Sequence, residues 1–345
     1  MRYVIFSVFL LVVAYAAATV VVKLIKCCGN RKMTPLSLDV SNVCKGIAIL
    51  MVMLGHIGNR FGVSYLNPLG SWGVGIFLFL SGYGMEISVN KKGLQNFWRN
   101  RIITVWIPYA AAEIVGILIC ATPNYSKLTL LDIFKDLLLI KPIHPFGWYM
   151  QCLFLYYIGF YAAHKLFSNE NSGKYVVLLV VAAAQFLLLR SLFKQQAFTF
   201  ILGILAADRV KTMGKTTQKS VSDTLEIALG VVCLLIRQVA FVRALYWVNE
   251  LIFAIQVAAL TVGSVNVIEW LCARFRAVLF EIALYLGLIS YEIYLYHGWL
   301  YRWIFSWPVS YLTITFFVLG AIIIAIPVYL ARSRLVKYWK RELLE

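Results

Sequence analysis

Acidic residues are scarce in this chain, with 15 Asp and Glu against 32 Lys and Arg, and charged residues of either sign make up only 14% of it. A soluble domain of ordinary composition carries nearer to about 25% charge, so the shortage excludes one built around a single water-facing surface. Proline is also sparse, at 8 residues. There is no low-complexity segment and no internal repeat, which excludes a solenoid or a disordered linker. The cysteines are seven, an odd number, and lie mostly inside apolar runs without metal-ligand spacing. They read as small buried apolar residues, so neither a metal centre nor a disulfide framework is expected. The adjacent Cys27 and Cys28, beside a membrane end, could carry an acyl chain.

What is present is apolar sequence, 62% of the residues. It falls in eleven runs, at 3–25, 43–58, 70–89, 102–121, 147–167, 175–191, 196–209, 224–242, 245–266, 278–299 and 308–331. Short charged stretches join them. Backbone in lipid must satisfy its own hydrogen bonds, so the expected fold class is all-α, a polytopic transmembrane helical bundle. The net charge of +17 is not a nucleic-acid footprint, because the cations cluster on alternate loops. With the N-terminus outside, 22 of the 32 cations fall on the cytoplasmic side. That asymmetry predicts a multi-pass protein of the cell membrane with a cytoplasmic C-terminus. The run at 3–25 has its cations mainly after it, the reverse of a signal peptide, and reads as a retained helix. The runs at 43–58 and 196–209 are short for a span; the first either starts earlier, near Leu36, or lies in a protein-lined cavity. Between Thr122 and Phe146 is the longest outer loop, and within it 128–140 has the spacing of an amphipathic surface helix, either a connector or a lid.

The stretch Ser41–His56 concentrates the chemistry. Lys45 opens an apolar helix and His56 follows eleven residues on, about 16 Å along the axis. If Lys45 marks a membrane face, His56 sits near mid-depth, where an ionisable group is costly and points to function. His297 is the second intramembrane imidazole, and either could act as a general base or be a packing residue. His144 and His164 read as structural. On the cytoplasmic side Lys45, Arg99 and Arg101 could bind phosphates or anchor the helices beside anionic lipid. The carboxylates in or near the spans, among them Glu86, Glu113, Asp208, Glu250, Glu281 and Glu292, need partners or a cavity. Arg237 and Arg243 are candidate partners, and Glu292 is off the His297 face.

Five segments together carry a family resemblance. KGIAILMVMLGH (45–56) resembles the cation, ten residues, His signature of the acyltransferase 3 family of integral membrane O-acyltransferases. WGVGIFLFLSGYGM (72–85), FWRNRIITVWIPY (97–109), GWYMQCLFLYY (147–157) and ISYEIYLYHGWL (289–300) are similar to its later segments, in family order. The resemblance implies a ten-helix core at 33–335, with an extra N-terminal helix and basic linker at 1–32 and a cytoplasmic tail at 336–345. It implies transfer of an acyl group, usually acetyl, from cytoplasmic acyl-CoA to a hydroxyl of a cell-surface or lipid-linked glycan, with the bilayer, the glycan acceptor and acyl-CoA as partners. His56 and His297 would be catalytic, Lys45, Arg99 and Arg101 would bind the acetyl-CoA, and Ser81, Tyr83 and Trp148 would bind substrate. Two positions depart from the family pattern: Val105 replaces an Arg of the third segment, and Gly75 replaces an Asp of the second. The latter leaves His56 without a carboxylate in its motif, for which Glu86 or Glu113 could substitute. The competing class is a transporter or exporter of a lipid-linked sugar with a His and carboxylate proton relay.

The orientation is testable. A fluorescent protein fused at the C-terminus should fluoresce, and alkaline phosphatase inserted in the 122–146 loop should be active; an inactive phosphatase there reverses the topology.

Overall fold

The computed structural model describes residues 37–119, 128–167, 172–189, 191–213, 221–275, 278–304, 307–308 and 310–342. The run at 3–25, its basic linker and Cys27, Cys28 and Cys120 lie outside them. All regular structure among the described residues is helical. In chain order the principal helices are α1 (Leu38–Phe61), α2 (Asn67–Lys92), α3 (Phe97–Ile119) and α4 (Leu130–Leu137). They continue with α5 (Trp148–Leu166), α6 (Gly173–Leu188), α7 (Thr199–Met213) and α8 (Val221–Ile236). The last four are α9 (Tyr246–Arg274), α10 (Val278–Leu288), α11 (Ser290–Ile304) and α12 (Tyr311–Glu342).

Five helices, α1, α2, α3, α9 and α12, are long and apolar enough to cross a membrane, and the bent pair α10 and α11 brings the total to six among the described residues. The chain is a multi-pass membrane protein, and its described residues form fewer long spans than the apolar runs among them suggest. The reason lies in what the apolar residues face. The 15 residues of α7 reach only about 22 Å, and its Phe200, Ile201 and Ile204 are buried in protein. In α5 the buried side include Met150, Leu153, Tyr156 and Phe160. Hydropathy alone does not separate such core helices from lipid-facing ones. By contrast α3, α8 and α12 expose large apolar side chains such as Leu118, Leu235 and Leu312, as a lipid-facing surface should.

Local signals account for the boundaries. The short run at 43–58 belongs to a 24-residue helix that starts at Leu38, where the Ser37 hydroxyl accepts from the Val40 N–H. It stops at Gly62, whose left-handed φ of 70° lets its N–H cap Asn59 and Gly58. The amphipathic segment forms α4 behind a reciprocal Thr129/Asp132 capping box. Its Asp136 accepts from Tyr109 (3.0 Å) and from the Ile143 N–H (2.8 Å), so α4 is fastened to α3. Within α3 a π turn covers Ile102–Trp106 just before Pro108, whose missing N–H and bulky ring disturb a regular α-helical ladder there. The 278–299 run is broken: α10 and α11 meet at 71°.

The bundle is held at its centre by backbone approaching backbone. A Cβ on Gly46 would sit 1.8 Å from the Ala283 carbonyl oxygen, and one on Gly287 would sit 1.8 Å from that of Asn42. Thus α1 and α10 touch along two small-residue steps. On another side of α1, Gly73 of α2 faces the Ala48 carbonyl and Gly55 faces Gly70. Gly82 and Gly203 let α2 and α7 meet in the same way. Helices in lipid associate through close packing of this kind, since the tails are as apolar as the side chains. Gly46→Val should therefore destabilise the protein by about 1–3 kcal/mol or more. It would show as a lower unfolding temperature in detergent, whereas unchanged unfolding would contradict the close contact.

Candidate functional site

Helix α1 carries Lys45 and His56 on one continuous rod. Eleven residues amount to about 20° beyond three whole turns, so the two side chains leave the same side of the helix at different depths. They define two ends of the bundle with different chemistry.

At the His56 end is a cavity of about 640 Å³, within the range of small-molecule sites. Its wall brings together the end of α1 (Gly55, His56, Asn59), the start of α2 (Asn67, Ser71) and the start of α5 (Trp148, Tyr149). Gln195, which accepts from the Ser71 hydroxyl (2.7 Å), the segment between α8 and α9, and Tyr294 of α11 complete the wall. The His56 ring stacks on Phe146, with centroids 3.7 Å apart, and Phe146 stacks on His297 at 5.0 Å. The two imidazoles are 5.3 Å apart between centroids. The sequence-predicted pair is therefore assembled from helices far apart in the chain. They differ in access: His56 lines the cavity, while His297 is fully buried behind it.

The hydrogen bonds fix the state of each ring. His297 Nδ1 faces two carbonyls, those of Ile293 (3.2 Å) and Tyr294 (2.6 Å), so Nδ1 carries the proton. Its Nε2 is a buried lone pair with no hydrogen-bond partner among the described residues. His144 donates from Nε2 to the Leu295 carbonyl (3.1 Å) and accepts the Phe146 N–H at Nδ1 (3.1 Å). Burial pushes its pKa down to about 3, so it stays neutral. Its structural reading from sequence agrees with these bonds, and its task is to hold Phe146 under the two other rings. Tyr294 adds a hydroxyl donated to the Phe146 carbonyl (2.8 Å). Phe146 and Tyr294 were missed in the sequence, since an aromatic in a loop or on an apolar helix carries no signal there.

No carboxylate orients His56 among the described residues, and Glu86 and Glu113 do not substitute for one. Glu86 lies at the other end, bonded to His164 (2.9 Å) and Lys174 (2.8 Å). Lys174 continues to Asp208 (2.6 Å), which also accepts from Tyr175. Glu113 faces Asp136 beside the Trp299 indole and the His144 backbone. Where the family pattern has Asp, Gly75 is packed against Thr261, whose hydroxyl oxygen would lie 2.4 Å from an added Cβ. A larger side chain has no room unless Thr261 moves.

At the Lys45 end, Lys45 is half-buried, with Arg332 of α12 as its neighbouring cation. Arg332 pairs with the buried Glu292 and lies over the Tyr291 ring. Arg101 stands over Tyr157 (5.3 Å) and Phe97 (5.6 Å), with a buried Nε that makes no hydrogen bond. Its neighbour Arg99 is half-buried. No contact joins Arg99 or Arg101 directly to Lys45 among the described residues. Of the three substrate-binding candidates, Trp148 lines the cavity, and Ser81 and Tyr83 do not; Tyr83 is buried in electrostatic reach of Glu269. The position left open by Val105 is used by its backbone, which accepts the Tyr291 hydroxyl (2.6 Å). Cys44, Cys152, Cys233 and Cys272 are buried free thiols.

Apolar helices around an aromatic-walled cavity lined by His56 define a polytopic membrane protein with an internal cavity. The family model described as an acyltransferase domain matches residues 39–332, from the first turn of α1 into α12. The chain belongs to this membrane acyltransferase family. No curated protein and no solved structure matches it.

The buried ion network offers a direct check. Glu86→Leu removes the carboxylate between two buried basic groups and should cost about 3–5 kcal/mol, measured as loss of detergent-resistant folding. A neutral outcome would mean that His164 and Lys174 find other partners.

Proposed function

We propose that the protein is an O-acyltransferase that moves an acyl group, acetyl in the simplest case, from cytoplasmic acyl-CoA to a hydroxyl of a cell-surface or lipid-linked glycan. The observation that carries this reading is the His56 imidazole. It opens on the cavity without a hydrogen-bond partner among the described residues, on the same side of α1 as Lys45. In this reading the Lys45 end faces the cytoplasm. Lys45, Arg99 and Arg101, with Arg332 beside Lys45, attract the CoA phosphates. Acyl-CoA supplies the activated thioester. His56 takes the proton from the acceptor hydroxyl as its oxygen bonds to the acyl carbon; the carbon–sulfur bond breaks, and the proton passes to the departing thiolate. His297 stands behind the stack with a bare Nε2, and Trp148 offers a face to a sugar.

The His164, Glu86, Lys174 and Asp208 chain favours a second reading, proton-coupled export of a lipid-linked sugar. The two separate in reconstituted protein. His56→Ala should lower acetyl transfer from acetyl-CoA by about 10²- to 10⁴-fold while the protein remains folded in the membrane. Lys45→Ala should raise KM for acetyl-CoA more than it lowers kcat. Wild-type transfer by His56→Ala would overturn the assignment, and sugar movement driven by a proton gradient without CoA would favour export.

A further inference from the structure

The wall of the cavity is asymmetric in charge. Besides His56, its charged residues among those described are two arginines, Arg237 and Arg243, both in the segment between α8 and α9; no carboxylate lines it. Both are fixed in place. Arg237 donates from Nε to Asn249 (3.1 Å) and from Nη1 to Gln256 (3.1 Å), and its guanidinium carbon lies 3.5 Å from the Phe253 ring centroid. Arg243 donates from Nε to the Arg237 carbonyl (2.9 Å) and from Nη2 to the Gln238 side chain. These bonds leave Arg237 Nη2 and Arg243 Nη1 with no hydrogen bond among the described residues.

The two cations are near enough to repel each other. Glu250, in electrostatic reach of Arg237, is buried and outside the cavity wall, so the charge on the wall itself is positive. A pair of rigidly held, like-charged groups with free N–H donors is a site for an oxyanion, which Arg binds through parallel hydrogen bonds. The rest of the wall suits a sugar. Asn59 and Asn67 offer hydroxyl-binding amides beside the Ser71 hydroxyl, which donates to Gln195 (2.7 Å), and Trp148 and Tyr149 offer ring faces.

Building on the acyltransferase reading, we infer that the acceptor is an acidic saccharide. One hydroxyl is presented to His56 while a carboxylate or phosphate of the same glycan rests on Arg237 and Arg243. Arg237 and Arg243 are then specificity-determining residues, and neutral glycans are poor acceptors.

The test uses the full-length protein in nanodiscs and reads binding without turnover. The probes are a hyaluronan tetrasaccharide against its carboxyl-reduced form, and glucose 1-phosphate against glucose; the two acids separate carboxylate from phosphate recognition. At least one acidic probe should bind about tenfold or more tightly than its neutral counterpart, and less tightly as salt screens the charges. Arg243→Gln, at an exposed position that should not affect folding, should remove most of that preference, and Arg237→Gln/Arg243→Gln all of it, with acetyl-CoA affinity unchanged. Equal binding of acidic and neutral probes, no binding of either acid, or a loss of acetyl-CoA affinity in Arg243→Gln would overturn the inference. Charge-selective binding without acetyl transfer would instead defeat the acyltransferase reading alone.

Discussion

The contact of α1 with α10 and α2, backbone against backbone, is the constraint on which the rest of the structure depends. In lipid, apolar side chains gain little by leaving the tails for one another, so two helices stay together when small residues allow their main chains to meet. Gly46 and Gly287 do this between α1 and α10, and Gly55, Gly70 and Gly73 do it between α1 and α2. The consequence reaches the site directly. Gly55 precedes His56 and Gly70 precedes Ser71, so the close approach of these glycines places the imidazole and the Ser71 hydroxyl side by side on the cavity wall.

A second constraint is the cost of burying polar groups. Part of the buried charge is paired: Glu86 with His164 and Lys174, Glu292 with Arg332. Buried groups left without partners therefore stand out. His297 Nε2 lies behind the cavity, and Arg101 Nε lies between aromatic rings at the other end. The two ends of α1 thus differ in chemistry, Lys45 with Arg332 nearby at one, an imidazole stack opening on amides and rings at the other. A donor on one side and an acceptor on the other would meet along the helix that carries both Lys45 and His56.

The bend between α10 and α11 makes this arrangement possible. The break lets α10 stay against the start of α1 while α11 crosses to bring His297 to His56 and Tyr294 to Phe146. The loop holding His144 and Phe146 is secured from two directions, by Asp136 of α4 on the Ile143 N–H and by the Leu295 carbonyl on His144. The short amphipathic helix α4 therefore serves as a brace for the ring stack.

Much of this was legible in the chain itself. Apolar runs separated by charge define a helical membrane protein whatever its packing, because lipid leaves the backbone no other way to bond itself. The Lys45 to His56 spacing, the order of the five motifs and the capped amphipathic segment at 128–140 are local properties, and the structure keeps them. Tertiary structure decided what no local pattern encodes. Apolar sequence reads alike whether it faces lipid, as in α12, or protein, as in α5 and α7, so the apolar runs among the described residues became five or six long spans. The carboxylate partners, such as His164 for Glu86 78 residues away and Arg332 for Glu292 40 residues away, depend on which helices become neighbours. So does the charge of the cavity wall, where two arginines from one loop meet an imidazole from α1. The helices were determined by hydropathy and spacing; their pairing was determined by close fit and by ion pairs such as Glu86 with Lys174 and Glu292 with Arg332.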